Sequence, residues 1–223
     1  MVGTEKVAVI DPGPDVEHHV RALASLAAAA DEITILLTHG HADHAAAAPG
    51  LARATGATVL GPAGVPGVDQ MIENGDSIET DHGRLVAVHT PGHTPEHLAF
   101  DWPERKALFV GDLLLGEGNT TWVAEYPGCV ADYLASLERV RTLNPAVIYP
   151  THGAALENPL DALDRFEGHR RSRIEQVRKA MRAHPDASVE ALLDVVYGDT
   201  LPDGVRGAAR LSLEALVDYV TGH

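Results

Sequence analysis

The sequence has a single cysteine, Cys129, so no disulfide can close within the chain and nothing calls for an oxidising compartment. Aromatic residues are 4% of the total, which leaves Ala, Val and Leu to build the core. No apolar run approaches the roughly 18 residues that span a bilayer. The N-terminus lacks the basic-then-apolar pattern of a signal peptide. The expectation is a soluble, cytoplasmic protein with no membrane partner. Basic residues are also scarce: 17 Lys and Arg stand against 32 Asp and Glu, a net charge of −15. Such a surface repels phosphate backbones and anionic headgroups, which counts against non-specific nucleic-acid or membrane binding.

What remains is ordinary for a folded chain, with 45% apolar and 22% charged residues, and this excludes a disordered protein. A length of 223 residues suits one main domain with a small appendage. Histidine is the anomaly: there are 13, and they cluster.

Lys6 to Ile10 reads as a buried strand stopped by Asp11-Pro12-Gly13-Pro14. An Ala-rich helix over 15–30, with Asp15 as its cap, and a second buried strand over 33–37 predict a parallel pair joined by a crossover helix. One helix is expected from Asp43 to about Ala54, then a short strand over 58–60. Two hairpins follow, 77–80 with 84–90 and 97–101 with 106–110. A helix over 130–142 and a last buried strand over 146–149 complete this part. From about residue 158 only helices are expected, roughly 160–183, 188–197 and 206–220. The division predicted is residues 1–157 and 158–223. The second part carries 9 basic and 11 acidic residues, so the acidity resides in the first, which is net −13. The one local basic cluster, His169-Arg170-Arg171-Ser172-Arg173, reads as a solvated helix face or as a contact for an anionic substrate.

The chemically active residues fall where strands end. His39, His41, Asp43 and His44 follow the second strand; His93, Asp112 and His152 each follow a later one. Strand ends fix positions while the loops leave a site open. Imidazole and carboxylate are the usual non-thiolate ligands of zinc, and a catalytic ion keeps a place for water. Seven such groups exceed one tetrahedral ion and suit two sharing a carboxylate. Iron or manganese accept the same ligands. His18, His19 and His82 read as surface residues, His89 and His97 as structural ones.

Thr38-His39-Gly40-His41-Ala42-Asp43-His44 resembles the HxHxDH motif of the metallo-β-lactamase-fold hydrolases. Later motifs of that family, a His after Pro-Gly, an Asp after Gly and a late His before Gly, are matched in order by His93, Asp112 and His152 over roughly residues 5–155. The resemblance implies an α/β (α+β) fold, an αββα sandwich. It implies one metal site from His39, His41 and His93 and another from Asp43, His44 and His152, with Asp112 bridging and Asp11 behind the ligands. Residues 91–95, 111–121 and the His169-Arg170 helix are similar to the β-lactamase-like protein 2 branch, which carries a C-terminal winged-helix-like domain. The match departs from the family at both ends. One or two strands usually precede this first strand, and a wing would follow the last helix.

The implied function is a dinuclear zinc hydrolase whose metal-bound hydroxide attacks an ester, thioester or lactone, with Asp43 catalytic. Glu117, Asn119, Thr120, Arg170 and Arg171 are candidate substrate contacts. Alternatives are an endoribonuclease for single-stranded RNA and a mononuclear iron persulfide dioxygenase. Oligomeric state is open, a dimer included.

Overall fold

The computed structural model describes residues 1–198 and 201–222. Its first sheet holds β1 (Lys6–Ile10), β2 (Glu32–Leu36), β3 (Thr58–Gly61) and β4 (Gln70–Met71), all parallel and in that order. The second holds β5 (Ser77–Thr80), β6 (Gly83–His89), β7 (Leu98–Trp102), β8 (Ala107–Gly111) and β9 (Val147–Pro150). Neighbours there are antiparallel up to β8, and β9 joins β8 in parallel. Both expected hairpins form, the second around a 3₁₀ turn at Pro103–Arg105. The expected crossover is β1, α1 (Glu17–Ala27) and β2, with Val7 beside Ile33.

Two local expectations change. Asp15 does not cap α1; Val16 takes the N-cap position, and no side chain bonds the first turn. Asp15 lies one residue too early to reach the second or third amide. The single helix expected after Asp43 is two, α2 (Ala42–Ala45) and α3 (Ala48–Thr55). Pro49 sits in the first turn of α3, where its missing N–H costs nothing; inside a continuous helix it would break the ladder.

Alternation along β1 and β2 sends side chains to two different cores. Val7, Val9, Ile35 and Leu37 pack outward with Val20 and Leu23 of α1 and Leu51 of α3. Ala8 and Leu36 pack inward with Leu85, Leu98 and Phe100 of the second sheet. The outer face of that sheet, through Leu108, Val110 and Ile148, packs on Tyr133, Leu137 and Val140 of α4 (Cys129–Leu143) and on Leu163 and Phe166 of α5 (Pro159–Ala183). The result is the expected αββα sandwich. After β9 the described residues contain α5, α6 (Val189–Tyr197) and α7 (Asp203–Thr221) and no further strand, only an isolated bridge from Leu156 to Ile148. Leu193 of α6 and Leu213 and Leu216 of α7 join the same core as α4.

The loop after β5 also clasps the N-terminal segment. Asp81 accepts from Thr4 N at 2.8 Å, from Lys6 N at 3.1 Å and from the Thr4 hydroxyl. The Thr4 hydroxyl and amide hold its carboxyl well below the usual range. A depressed folded pKa contributes stability that is present above the unfolded value, about 3.9, and is lost as pH falls through the folded one. Asp81→Asn is expected to lower stability at neutral pH, to flatten the acid limb of the unfolding curve, and to speed amide exchange in the first eight residues. An acid limb identical to that of the parent would contradict the clasp.

Candidate metal centre

The site begins at the end of β1. Asp11 adopts a φ of 45°, a left-handed conformation that a short polar side chain tolerates. Its carboxylate accepts from Thr38 N at 2.8 Å, Thr38 Oγ1 at 2.7 Å, His44 Nδ1 at 2.9 Å and Thr151 Oγ1 at 3.2 Å. One carboxylate thus ties the turns after β1, β2 and β9 together.

The hydrogen-bond partners assign each histidine its tautomer. The Thr38 hydroxyl gives its proton to Asp11, so its oxygen accepts from His39 Nδ1 at 2.9 Å. His44 donates Nδ1–H to Asp11, and His93 donates Nδ1–H to Trp122 O at 2.9 Å. His41 is turned the other way and donates Nε2–H to Glu125 Oε1 at 2.9 Å. Four rings therefore spend one nitrogen outward and aim a lone pair inward. His93 Nε2 and His41 Nδ1 lie 3.0 Å apart, close to the roughly 3.3 Å between ligands at 2.0–2.1 Å from a tetrahedral ion. The ligating atoms of His39, His41 and His93 lie within 4.8 Å of one another; so do those of His39, His44 and Asp112, and those of Asp43, His44 and His152.

Asp112 lies between these groups. Its Oδ1 is 3.4 Å from His44 Nε2 and 3.6 Å from His152 Nε2, and its Oδ2 is 3.7 Å from His93 Nε2. Asp43 Oδ2 is 3.2 Å from His152 Nε2, and both of these side chains are about half exposed. The cluster is buried at one end and open at the other.

Electrostatics follow the geometry. Burial, reinforced by His97 and the other rings, holds His39 far below its ordinary pKa, and burial lowers His93 as well. Burial works against a charged His44 too, but the hydrogen bond to Asp11 and the nearby Asp112 carboxylate prevail and raise it to about 10, so an ion bound at Nε2 takes the place of a proton. Burial disfavours the Asp112 carboxylate, yet His44 holds its pKa below the ordinary value. His39 Nε2, His44 Nε2 and Asp112 Oδ1 are buried with no hydrogen-bond partner. Orphaned lone pairs converging from opposed sides are what a divalent cation satisfies, so the donor set fits a metal.

Several contributors were not legible in the sequence. Glu125 and Trp122 lie on the loop between β8 and α4, just beyond the 111–121 segment and outside the quoted motifs, and only the fold brings them to His41 and His93. Glu125→Ala is expected to weaken metal affinity about 10–100-fold, as loss of a ligand's outer partner does. Glu125→Gln retains an acceptor for Nε2–H and is expected to stay near the parent in a chelator-competition titration. His97, read as structural, is fully buried, pushed down to about 3 by burial, and accepts from Asp112 N at 3.2 Å. His19, read as a surface residue, is instead part-buried and donates to Pro12 O at 2.7 Å, because α1 folds back over the first turn.

The basic cluster divides. Arg171 is exposed and paired with Glu167 at 2.7 Å. Arg170 is not part of a solvated face: it is 3% exposed, because α5 packs that side of itself on α4. Glu117 and Asn119 are exposed on the loop after β8, while Thr120 lines a groove beside Arg170.

Two facing sheets with helices outside and an open imidazole–carboxylate cluster at their strand ends define the class, that of the metal-dependent hydrolases. The sequence pattern of the metallo-beta-lactamase superfamily matches residues 1–65 and 59–152. The Beta-lactamase-like protein 2 homolog of Caenorhabditis elegans is 30% identical over 221 residues, covering 93% of this chain and 72% of that protein. An Atrochrysone carboxyl ACP thioesterase of Aspergillus fumigatus is 31% identical over 234 residues, covering 100% of this chain but only 50% of its own length. The crystal structure of a beta-lactamase domain protein from Burkholderia ambifaria superposes with a TM-score of 0.80 at 20% identity, over 96% of this chain and 76% of that one. The chain belongs to the metallo-beta-lactamase superfamily.

Proposed function

We propose that the protein is a dinuclear zinc hydrolase acting on a small thioester, or on a related ester or lactone. The observation that carries this is the inward set of lone pairs with Asp112 between two groups of ligands. His39, His41 and His93 would hold one ion, Asp43, His44 and His152 the other, with Asp112 shared. When bound, such a pair supplies Lewis-acid polarisation of a carbonyl and a water ionised near neutral pH.

The residues of the chain do the rest. Asp11 holds His44 and, through Thr38, His39 in one tautomer. Glu125 does the same for His41. Asp43, half exposed at the mouth, can orient an attacking water and hold its proton at a carboxylate oxygen. The thioesterase relative favours a thioester, and the net charge of −13 over residues 1–157 disfavours a nucleic acid lying across that part. We assign catalysis to residues 1–157 and treat 158–223 as a winged-helix-like helical appendage. No helix among the described residues is long and apolar enough to cross a membrane, and a cytoplasmic site of action accords with the single cysteine.

The test is elemental analysis of protein purified without added metal, followed by an acyl-thioester panel. About two zinc ions per chain and thioester turnover are expected. Iron at one ion per chain with oxygen consumption on a persulfide, or cleavage of single-stranded RNA without thioester turnover, would overturn the assignment.

A further inference from the structure

Behind the metal centre lies a groove that the proposed chemistry does not use. It has a volume of about 500 Å³ and is bounded by the loop over 115–123, by α5, by the end of α6 and by α7. His169, Arg170 and Arg173 line it; much of the remaining wall is apolar, including Trp122, Leu201 and Val205. None of its described lining residues is acidic, in a chain that carries 32 Asp and Glu.

Arg170 is the unusual member. It is 3% exposed, donates Nη2–H to Thr121 O at 3.1 Å and stands 5.3 Å over the Tyr133 ring. Its Nε is buried without a partner, and no carboxylate pairs with it among the described residues. A guanidinium taken out of water with no counter-ion is costly, and an anionic ligand would remove that cost. Arg173 is braced beside it, bonded to Gln176 at 2.7 Å and 4.0 Å over the Tyr197 ring.

We propose that this groove binds a phosphate carried on an organic arm, with Arg170 and Arg173 taking the anion and Trp122, Leu201 and Val205 the arm. Two guanidinium forks suit phosphate oxygens, and the volume is that of a small-molecule site. The proposal rests on the thioesterase reading, since the thiol of biological thioesters is commonly borne on a phosphorylated arm. It also follows from position. Thr121 donates its hydroxyl to Asp112 O at 2.8 Å, and Trp122 O receives His93 Nδ1–H. The 121–122 segment is therefore one wall with metal ligands on one side and the groove on the other.

The experiment is calorimetric titration of the metal-loaded full chain with coenzyme A, with 4′-phosphopantetheine, which lacks the adenosine, and with pantetheine, which keeps the thiol and lacks the phosphates as well. Any thiol–metal contact is common to all three probes and cancels. Coenzyme A and 4′-phosphopantetheine are expected to bind at least about 10-fold more tightly than pantetheine, the effect of charge-assisted hydrogen bonds to one anion. Arg173→Gln and Ser212→Glu, both at part-exposed positions, are expected to remove most of that advantage and to leave pantetheine unchanged. Equal affinity for 4′-phosphopantetheine and pantetheine, or indifference to both variants, would overturn the proposal. Tighter binding of a single-stranded RNA oligonucleotide, weakening steeply with salt, would overturn the small-molecule assignment. Acyl-coenzyme A turnover measured alongside separates the two readings. Arginine-dependent coenzyme A binding without turnover sinks the thioesterase reading and keeps the groove; turnover without probe discrimination does the reverse.

Discussion

On the proposed function, Asp112→Ala should reduce metal content from the expected two ions per chain to one or fewer and slow thioester hydrolysis by about 10³-fold or more. Asp112 is 8% exposed, and its two oxygens face both ligand groups, Oδ1 toward His44 and His152 and Oδ2 toward His93. Its loss removes the charge that would hold two cations close together, and it leaves the His44 ring with one carboxylate neighbour fewer. Several kcal/mol of transition-state charge stabilisation are at stake, and each 1.36 kcal/mol is a factor of ten. Elemental analysis and a thioester assay on the same preparation check it. Asp112→Asn keeps the volume but not the charge; an asparagine variant with two ions and the parental rate would refute the bridging role.

Gly92→Ala should be strongly destabilising for a single added methyl group. Gly92 has a φ of 135°, a conformation close to glycine-only, and an added Cβ would lie 2.6 Å from Tyr133 Cα and Cβ and 2.8 Å from Tyr133 N. Those are atoms at the start of α4, which cannot swing aside as a side-chain tip can. Ser136 donates to Pro91 O at 2.7 Å and ties the same turn to the same helix. Backbone strain of about 1–3 kcal/mol and overpacking of about 1–3 kcal/mol give an expected loss of about 2–6 kcal/mol. His93 is the next residue, so metal affinity should fall too. Gly118→Ala is the control: φ is 72°, but nothing lies within 4 Å of the added methyl, and only about 1–2 kcal/mol is expected. Equal shifts in denaturant midpoint for the two variants would show that the approach to Tyr133 does not matter.

Most of the strands and helices were legible because their signals are local. Continuous apolar runs at 6–10 and 33–37 must be buried on both faces, and β1 and β2 are. The hairpins announce themselves by turn residues between alternating runs, and the helices by their apolar stripe. The misreadings are local as well. A periodic Ala-rich stretch hides the break at Pro49, and a two-residue strand such as β4 has too few positions to show a period. Missed residues share a different cause. Glu125 and Trp122 carry no pattern of their own; they matter only because the loop before α4 folds back over His41 and His93.

The sequence alone determined most of the strands and helices and the chemical character of the site; the layered architecture was implied by the resemblance to the family. Period-two and period-3.6 patterning, turn residues and ligand-type side chains at strand ends are all properties of neighbouring positions. Tertiary structure alone decided which nitrogen of each imidazole faces inward, because that depends on a partner as distant as Glu125 is from His41. It alone decided that Arg170 and Arg171, adjacent in the chain, have opposite fates. A step of one residue turns a helix by about 100°, and here that step separates a buried cation with no counter-ion among the described residues from an ordinary surface pair.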